Sequence, residues 1–183
     1  MAYVTPGTVA AGDVATAAAW NVVVNDVIDH ESRLTQIKRL AYQTRTTSYT
    51  VDQTAIASAS NVFGTSAIWT ADGTSAYSVE VYFPRVTPPA NTATYVEIDL
   101  YNVTTAASIG TLGFVQTNSA TPEVSSAFFG KYFYTPAAGT TTLNVRVVRS
   151  AATVNGSVAM GSGGSALTSY MPGFIAVYGP PLT

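Results

Sequence analysis

From Thr46 onward the chain repeats one pattern: strand-length runs rich in Thr, Val, Tyr and Phe, separated by Gly, Pro, Asn and Asp. Such runs read as short β-strands. The candidates are Thr46–Val51, Ala67–Thr70, Tyr77–Phe83, Thr94–Tyr101, Ser108–Gln116, Ser125–Tyr134, Thr141–Arg149, Val154–Met160 and Phe174–Tyr178. Two alternate cleanly. Val96, Ile98 and Leu100 share one face, with Tyr95, Glu97, Asp99 and Tyr101 on the other. Leu143, Val145 and Val147 likewise oppose Asn144, Arg146 and Val148. One dry and one wet face per strand is the signature of an antiparallel sheet covered on one side. Many short strands at regular spacing predict an antiparallel β-sandwich, jelly-roll-like. Val154-Asn155-Gly156-Ser157 reads as a hairpin turn, since Asn-Gly tolerates the positive φ of a type I′ turn. Thr135–Gly139 reads as a turn, and Pro84–Ala93 and Gly161–Ser165 as loops.

The front of the chain differs. Eight of the eighteen charged residues lie between Asp13 and Arg45. We place a boundary there: residues 1–45 as an extended leader plus one amphipathic helix, residues 46–183 as the β-sandwich head. The helix is expected over residues 16–41, with Thr16 as N-cap, three alanines behind it, and no Gly or Pro from Ala17 to Tyr42. Trp20, Val23, Val27, His30, Leu34, Ile37 and Ala41 recur at alternating steps of three and four, a heptad seam. An amphipathic helix lying on its own β-domain needs a similar stripe, so both readings stand. Asp26 with Glu31, and Arg33 with Lys38, occupy flanking g and e positions. In a parallel in-register bundle those pairs carry like charges and oppose association.

Composition excludes several functions. Only 10% of residues are charged, against about 25% in an average globular protein. The net charge is −2 with no basic run, which argues against nucleic acid as a partner. No uninterrupted apolar stretch reaches the roughly 18 residues a membrane span needs. Cysteine is absent, which removes disulfides, thiolate metal sites and Cys nucleophiles. Residues 1–20 lack a basic n-region and a continuous apolar core, so synthesis in the cytoplasm is expected. With so few charges, either Thr, Ser, Asn and Gly solvate the surface or partners cover much of it.

Little points to catalysis, and no enzyme activity, cofactor or metal is expected. The lone imidazole, His30, lies in the helix seam and lacks a G-x-S-x-G elbow elsewhere to serve. It reads as a partly solvated helix residue. In a trimeric helix, three such imidazoles would instead meet near one axis and repel below about pH 6.5. Glu97 and Asp99 share a strand face and read as solvating groups; joined by Glu80 they would suggest a calcium site, but no Asp-x-Asp-x-Asp loop accompanies them. Tyr77, Tyr82, Tyr95, Tyr101, Tyr132 and Tyr134 carry more weight, because Tyr joins an apolar body to a polar tip. Tyr95, Glu97, Asp99 and Tyr101 together form a candidate contact surface for another subunit or a carbohydrate.

Two stretches resemble a known group. Val9-Ala10-Ala11-Gly12-Asp13 followed by Thr16-Ala17-Ala18-Ala19-Trp20-Asn21 resembles the start of many bacteriophage structural proteins. Tyr134–Thr142, continuing to Arg149-Ser150, and Met171–Val177 are similar to the last strands of trimeric β-sandwich heads in phage fibres, tail tips and capsid decorations. The resemblance implies a homotrimer in the virion that docks on major capsid or tail proteins through its N-terminal segment, with the head outward. Trp20, Val23, Val27, His30, Leu34 and Ile37 would then be the anchoring and oligomerisation residues. Capsid decoration is the leading expectation. A tail-tip or fibre head touching a host surface glycan, and a carbohydrate-binding module, are the alternatives.

Overall fold

A computed structural model describes residues 25, 38–90, 94–117, 125–150, 155–160 and 171–179. The chain divides into two compact units, one running Lys38–Pro180 and the other comprising 1–37 with 181–183. The expected helix seam, including Trp20, Val23, Val27, His30, Leu34 and Ile37, lies outside the described residues. So does the Gly161–Ser165 loop.

The described residues form ten strands: β1 (Arg39–Arg45), β2 (Tyr49–Val51), β3 (Ala67–Ala71), β4 (Tyr77–Thr87), β5 (Thr94–Asn102), β6 (Ala107–Thr117), β7 (Ser126–Tyr134), β8 (Gly139–Arg149), β9 (Gly156–Ala159) and β10 (Gly173–Tyr178). Every pairing is antiparallel. Sheet A runs β1-β10-β4, and β7 takes the other edge of β4. Where β10 ends, β9 continues along the same edge of β4 and carries β2 beyond it. Sheet B runs β3-β8-β5-β6.

The sheets pack face to face around one core, making the β-sandwich expected from the alternation. Val79, Val81, Phe83, Ile175 and Val177 of sheet A meet Trp69, Val96, Ile98, Leu100, Leu143, Val145 and Val147 of sheet B. Phe63, from the segment before β3, stacks on Phe83 with ring centroids 5.9 Å apart. Each fully buried side chain of this size stabilises the fold by about 1.5–3 kcal/mol relative to exposure.

Three local expectations change. Arg39–Ala41, placed at the end of the helix, belong to β1, so the segment assigned as residues 1–45 ends in a strand of the sandwich. Pairing with β10 and packing of Leu40 and Ala41 on the core override helical propensity here. Strand β4 continues past Phe83, and its register slips between Phe83 and Val86, which accommodates Pro84 at an irregularity. The Asn-Gly turn does not form: Gly156 and Ser157 lie in β9, paired with Val51 and Thr50. Gly156 is needed for close approach, since a Cβ there would sit 2.9 Å from Val96 Cγ2 and 3.0 Å from the Thr87 carbonyl.

Candidate interaction surface

The two outward faces of the sandwich carry the chemistry, and alternation decides what each presents. On sheet A the outward residues of β7 are Phe129, Lys131 and Phe133. Across the sheet they align with Tyr82, Glu80 and Ser78 of β4, and then with Phe174, Ala176 and Tyr178 of β10. Tyr42 of β1 sits beside Ala176. The rings form a ladder: Tyr42 to Phe174 is 5.8 Å between centroids, and Tyr82 to Phe174 is 5.6 Å. The Arg39 guanidinium lies 4.4 Å from the centre of the Tyr42 ring. Lys131 Nζ sits 3.1 Å from Glu80 Oε1 and 5.6 Å from the Phe133 ring centre. Phe129 and Phe133 remain 59% and 66% exposed, at a cost in hydration that partner contact would remove. Neither was among the candidates, because β7 carries aromatics at both parities and alternation alone does not say which face is buried.

Sheet B divides the four predicted contact residues. Tyr95 is 37% exposed and Glu97 is partly exposed. Asp99 and Tyr101 are buried, at 2% and 7% exposure, so they are not contact residues. The reason lies on β8. Arg146, cross-strand from Asp99, stacks its guanidinium 3.5 Å from the Tyr101 ring centre. It donates to Asn61 Oδ1 (3.2 Å) and to the Ile56 and Ala57 carbonyls (3.0 and 3.2 Å). The segment carrying these acceptors runs along β8: Val62 N donates to the Val145 carbonyl at 2.8 Å, and Arg149 N to Gln53 O at 2.9 Å. Asn144 locks it in place. Its Oδ1 accepts from Phe63 N (3.1 Å), and its Nδ2 donates to Phe63 O (2.8 Å) and Ser66 Oγ (3.0 Å).

Asp99 is held beneath this cover. Its Oδ2 accepts from Ser108 Oγ at 2.8 Å, while its Oδ1 has no hydrogen-bond partner among the described residues. Burial pushes the carboxyl up to about 6; the Ser108 hydrogen bond opposes this, Glu97 adds to it and Arg146 opposes it. The carboxylates do not gather into a cation site with Glu80, which faces outward from the opposite sheet and pairs with Lys131. Among the remaining tyrosines, Tyr77 is buried and accepts from Asp72 N at 3.0 Å, and the Tyr134 hydroxyl accepts from Asn102 Nδ2 at 2.9 Å. Tyr132 and Tyr134 pack on the core, leaving Tyr82 and Tyr95 on the outward faces.

No protein-family model and no curated protein matches the chain. Among solved structures it is similar to that of infectious bursal disease virus, Gt strain, with 14% identity over 79% of this chain and a TM-score of 0.37. It is also similar to the VP2 subviral particle of infectious bursal disease virus (14% identity, 79% of this chain, TM-score 0.35) and to the T13 particle of that virus (10% identity, 79% of this chain, TM-score 0.38). The chain spans 38%, 37% and 36% of those proteins, respectively. A likeness at this level carries no argument about activity or partners, and the sandwich described above rests on its own strand pairings.

Proposed function

We propose that this chain is a non-enzymatic structural subunit of a bacteriophage particle, a homotrimer that decorates the capsid and docks on the major capsid protein through its N-terminal segment. The observation that carries the reading is the outward face of sheet A, where Tyr42, Tyr82, Phe129, Phe133 and Phe174 accompany one ion pair among the described residues. Aromatic residues with few charges are the composition of an interface centre. The strand order supports it as well. The pairs β1-β10-β4-β7 and β3-β8-β5-β6 interleave so that β5 to β6 is the only step between consecutive strands of this set that stays within one sheet, as in a jelly roll. Folds of this kind host many functions, so the face and not the fold bears the weight.

Light scattering on the full chain tests assembly. The expected mass is three times the 19.1 kDa of one chain. Trp20→Ala is expected to abolish trimerisation and particle incorporation while the sandwich melts unchanged. Phe129→Ser combined with Phe133→Ser is expected to weaken subunit packing with the same unchanged melting. A monomeric wild type whose incorporation survives all three substitutions overturns the proposal. Copy number fixes the place on the particle: decoration requires many copies and weaker capsids on its loss, whereas a tail-tip or fibre role requires few copies and intact particles that fail to adsorb.

A further inference from the structure

The outward face of sheet B is closed by Arg146 at one end and open at the other. The open end is a depression of about 450 Å³ lined by Tyr95, Glu97, Thr111, Phe114 and Gln116. That volume lies within the roughly 300–1,000 Å³ of small-molecule sites. Its shape comes from β6, whose register against β5 slips twice, between Ile98 and Asp99 and between Leu100 and Tyr101. The slips insert Leu112 and Ile109, which pack on the core, and leave Thr111 and Phe114 opposite Asp99 and Glu97. Bulges of this kind re-aim side chains beside binding sites.

From these residues we infer that the depression is a binding site for a neutral saccharide, a hexose or N-acetylhexosamine unit. The Tyr95 and Phe114 rings stand 6.1 Å apart at 57°, an open corner of two apolar ring faces. Phe114 is 63% exposed, so its ring face is available. A pyranose has a matching form, with an apolar C–H face and hydroxyls around its rim. Glu97 supplies the rim. Thr111 Oγ1 donates to its Oε1 at 2.7 Å and orients the carboxylate beside Tyr95, which shares the lining. A carboxylate acceptor binds a donating hydroxyl more strongly than a neutral acceptor does. Charge selects the ligand class: among the described residues no cationic side chain lines the depression, and Glu97 repels a uronic or sialic acid. The site lies on the opposite sheet from the aromatic ladder and stands whether or not the proposed particle assembly does.

Calorimetric titration and saturation-transfer NMR on the full chain test the site, with neutral hexose and N-acetylhexosamine disaccharides against a glucuronic-acid-terminated disaccharide. Neutral sugars are expected to bind and the acidic one to bind at least about tenfold more weakly. Tyr95→Ala and Phe114→Ala are each expected to lower affinity by about tenfold without changing the melting temperature. Glu97→Gln is expected to reduce the discrimination against the acidic sugar by about tenfold. The inference is overturned if no neutral sugar binds at about 10 mM, a ceiling equivalent to only a few kcal/mol. It is equally overturned if binding survives both aromatic substitutions, or if Phe114→Ala changes oligomer mass in place of sugar affinity.

Discussion

The two outward faces of the sandwich solve the problem of low charge in opposite ways. Sheet B covers its polar residues from within: Arg146, Asn144 and the segment before β3 close over Asp99 and Tyr101. Sheet A leaves the Tyr42, Phe129 and Phe133 rings exposed, beside the Lys131–Glu80 pair and the Arg39 cation over Tyr42. A face closed by buried hydrogen bonds contributes to the stability of the monomer. A face of bare rings contributes little until something covers it. Substitutions at the closed end of sheet B, around Arg146 and Asn144, should therefore act on folding, and those on sheet A on assembly.

Asn144→Ala is the severest test of that contrast. It strands the buried Phe63 N–H and carbonyl together, and should cost about 3 kcal/mol in urea unfolding. A loss below about 1 kcal/mol would mean the segment is held by something else. Arg146→Met removes the cation over Tyr101 and three hydrogen bonds, with an expected loss of about 2 kcal/mol in thermal unfolding. It should also raise the Asp99 carboxyl further, because Arg146 holds it down.

The third test is pH. Asp99 binds its proton more tightly folded, at about 6, than at the ordinary 3.8. Its contribution to stability is therefore complete below 3.8 and disappears as pH rises through 6. Asp99→Asn should flatten the stability profile between those values. Asp72 acts in the opposite sense: hydrogen bonds from Ser75 and Thr74 hold its carboxyl well below the ordinary range, so its contribution is lost on acidification. A profile unchanged by Asp99→Asn would remove the buried acid from the account. The smallest effect belongs to sheet A. A double-mutant cycle on Lys131 and Glu80 should give about 0.5 kcal/mol, as for other partly exposed pairs. A coupling above about 2 kcal/mol would show that sheet A too is locked from within.

The contrast also marks what could be read from sequence. The inward residues of β5 and β8 follow directly from alternation, and Val96, Ile98, Leu100, Leu143, Val145 and Val147 all lie in the core. Their outward partners do not follow, because Asp99 and Tyr101 are covered through residues about 40 positions away, around Ile56 to Asn61. Period-two patterning reports a face, not what lies over it. Strand β1 was hidden for a related reason: the heptad spacing continues through Ala41, although pairing with β10 decides the backbone there. Gly156 was misread because the same residue serves a turn or a close contact, and Val96 and Thr87 choose the second. In the proposed saccharide site, Tyr95 and Glu97 share one face of a single strand in the sequence, whereas Phe114 and Thr111 join them only through the bulges of β6.

The pairing of β1 with β10 has one further consequence. Arg39–Arg45 are made well before Gly173–Tyr178, the strand with which they pair. During synthesis the opening strand must wait through more than a hundred residues with its amides unmatched. A chain lacking Gly173–Tyr178 therefore leaves this edge of the sheet unpaired, and such long-range closure is slow to form.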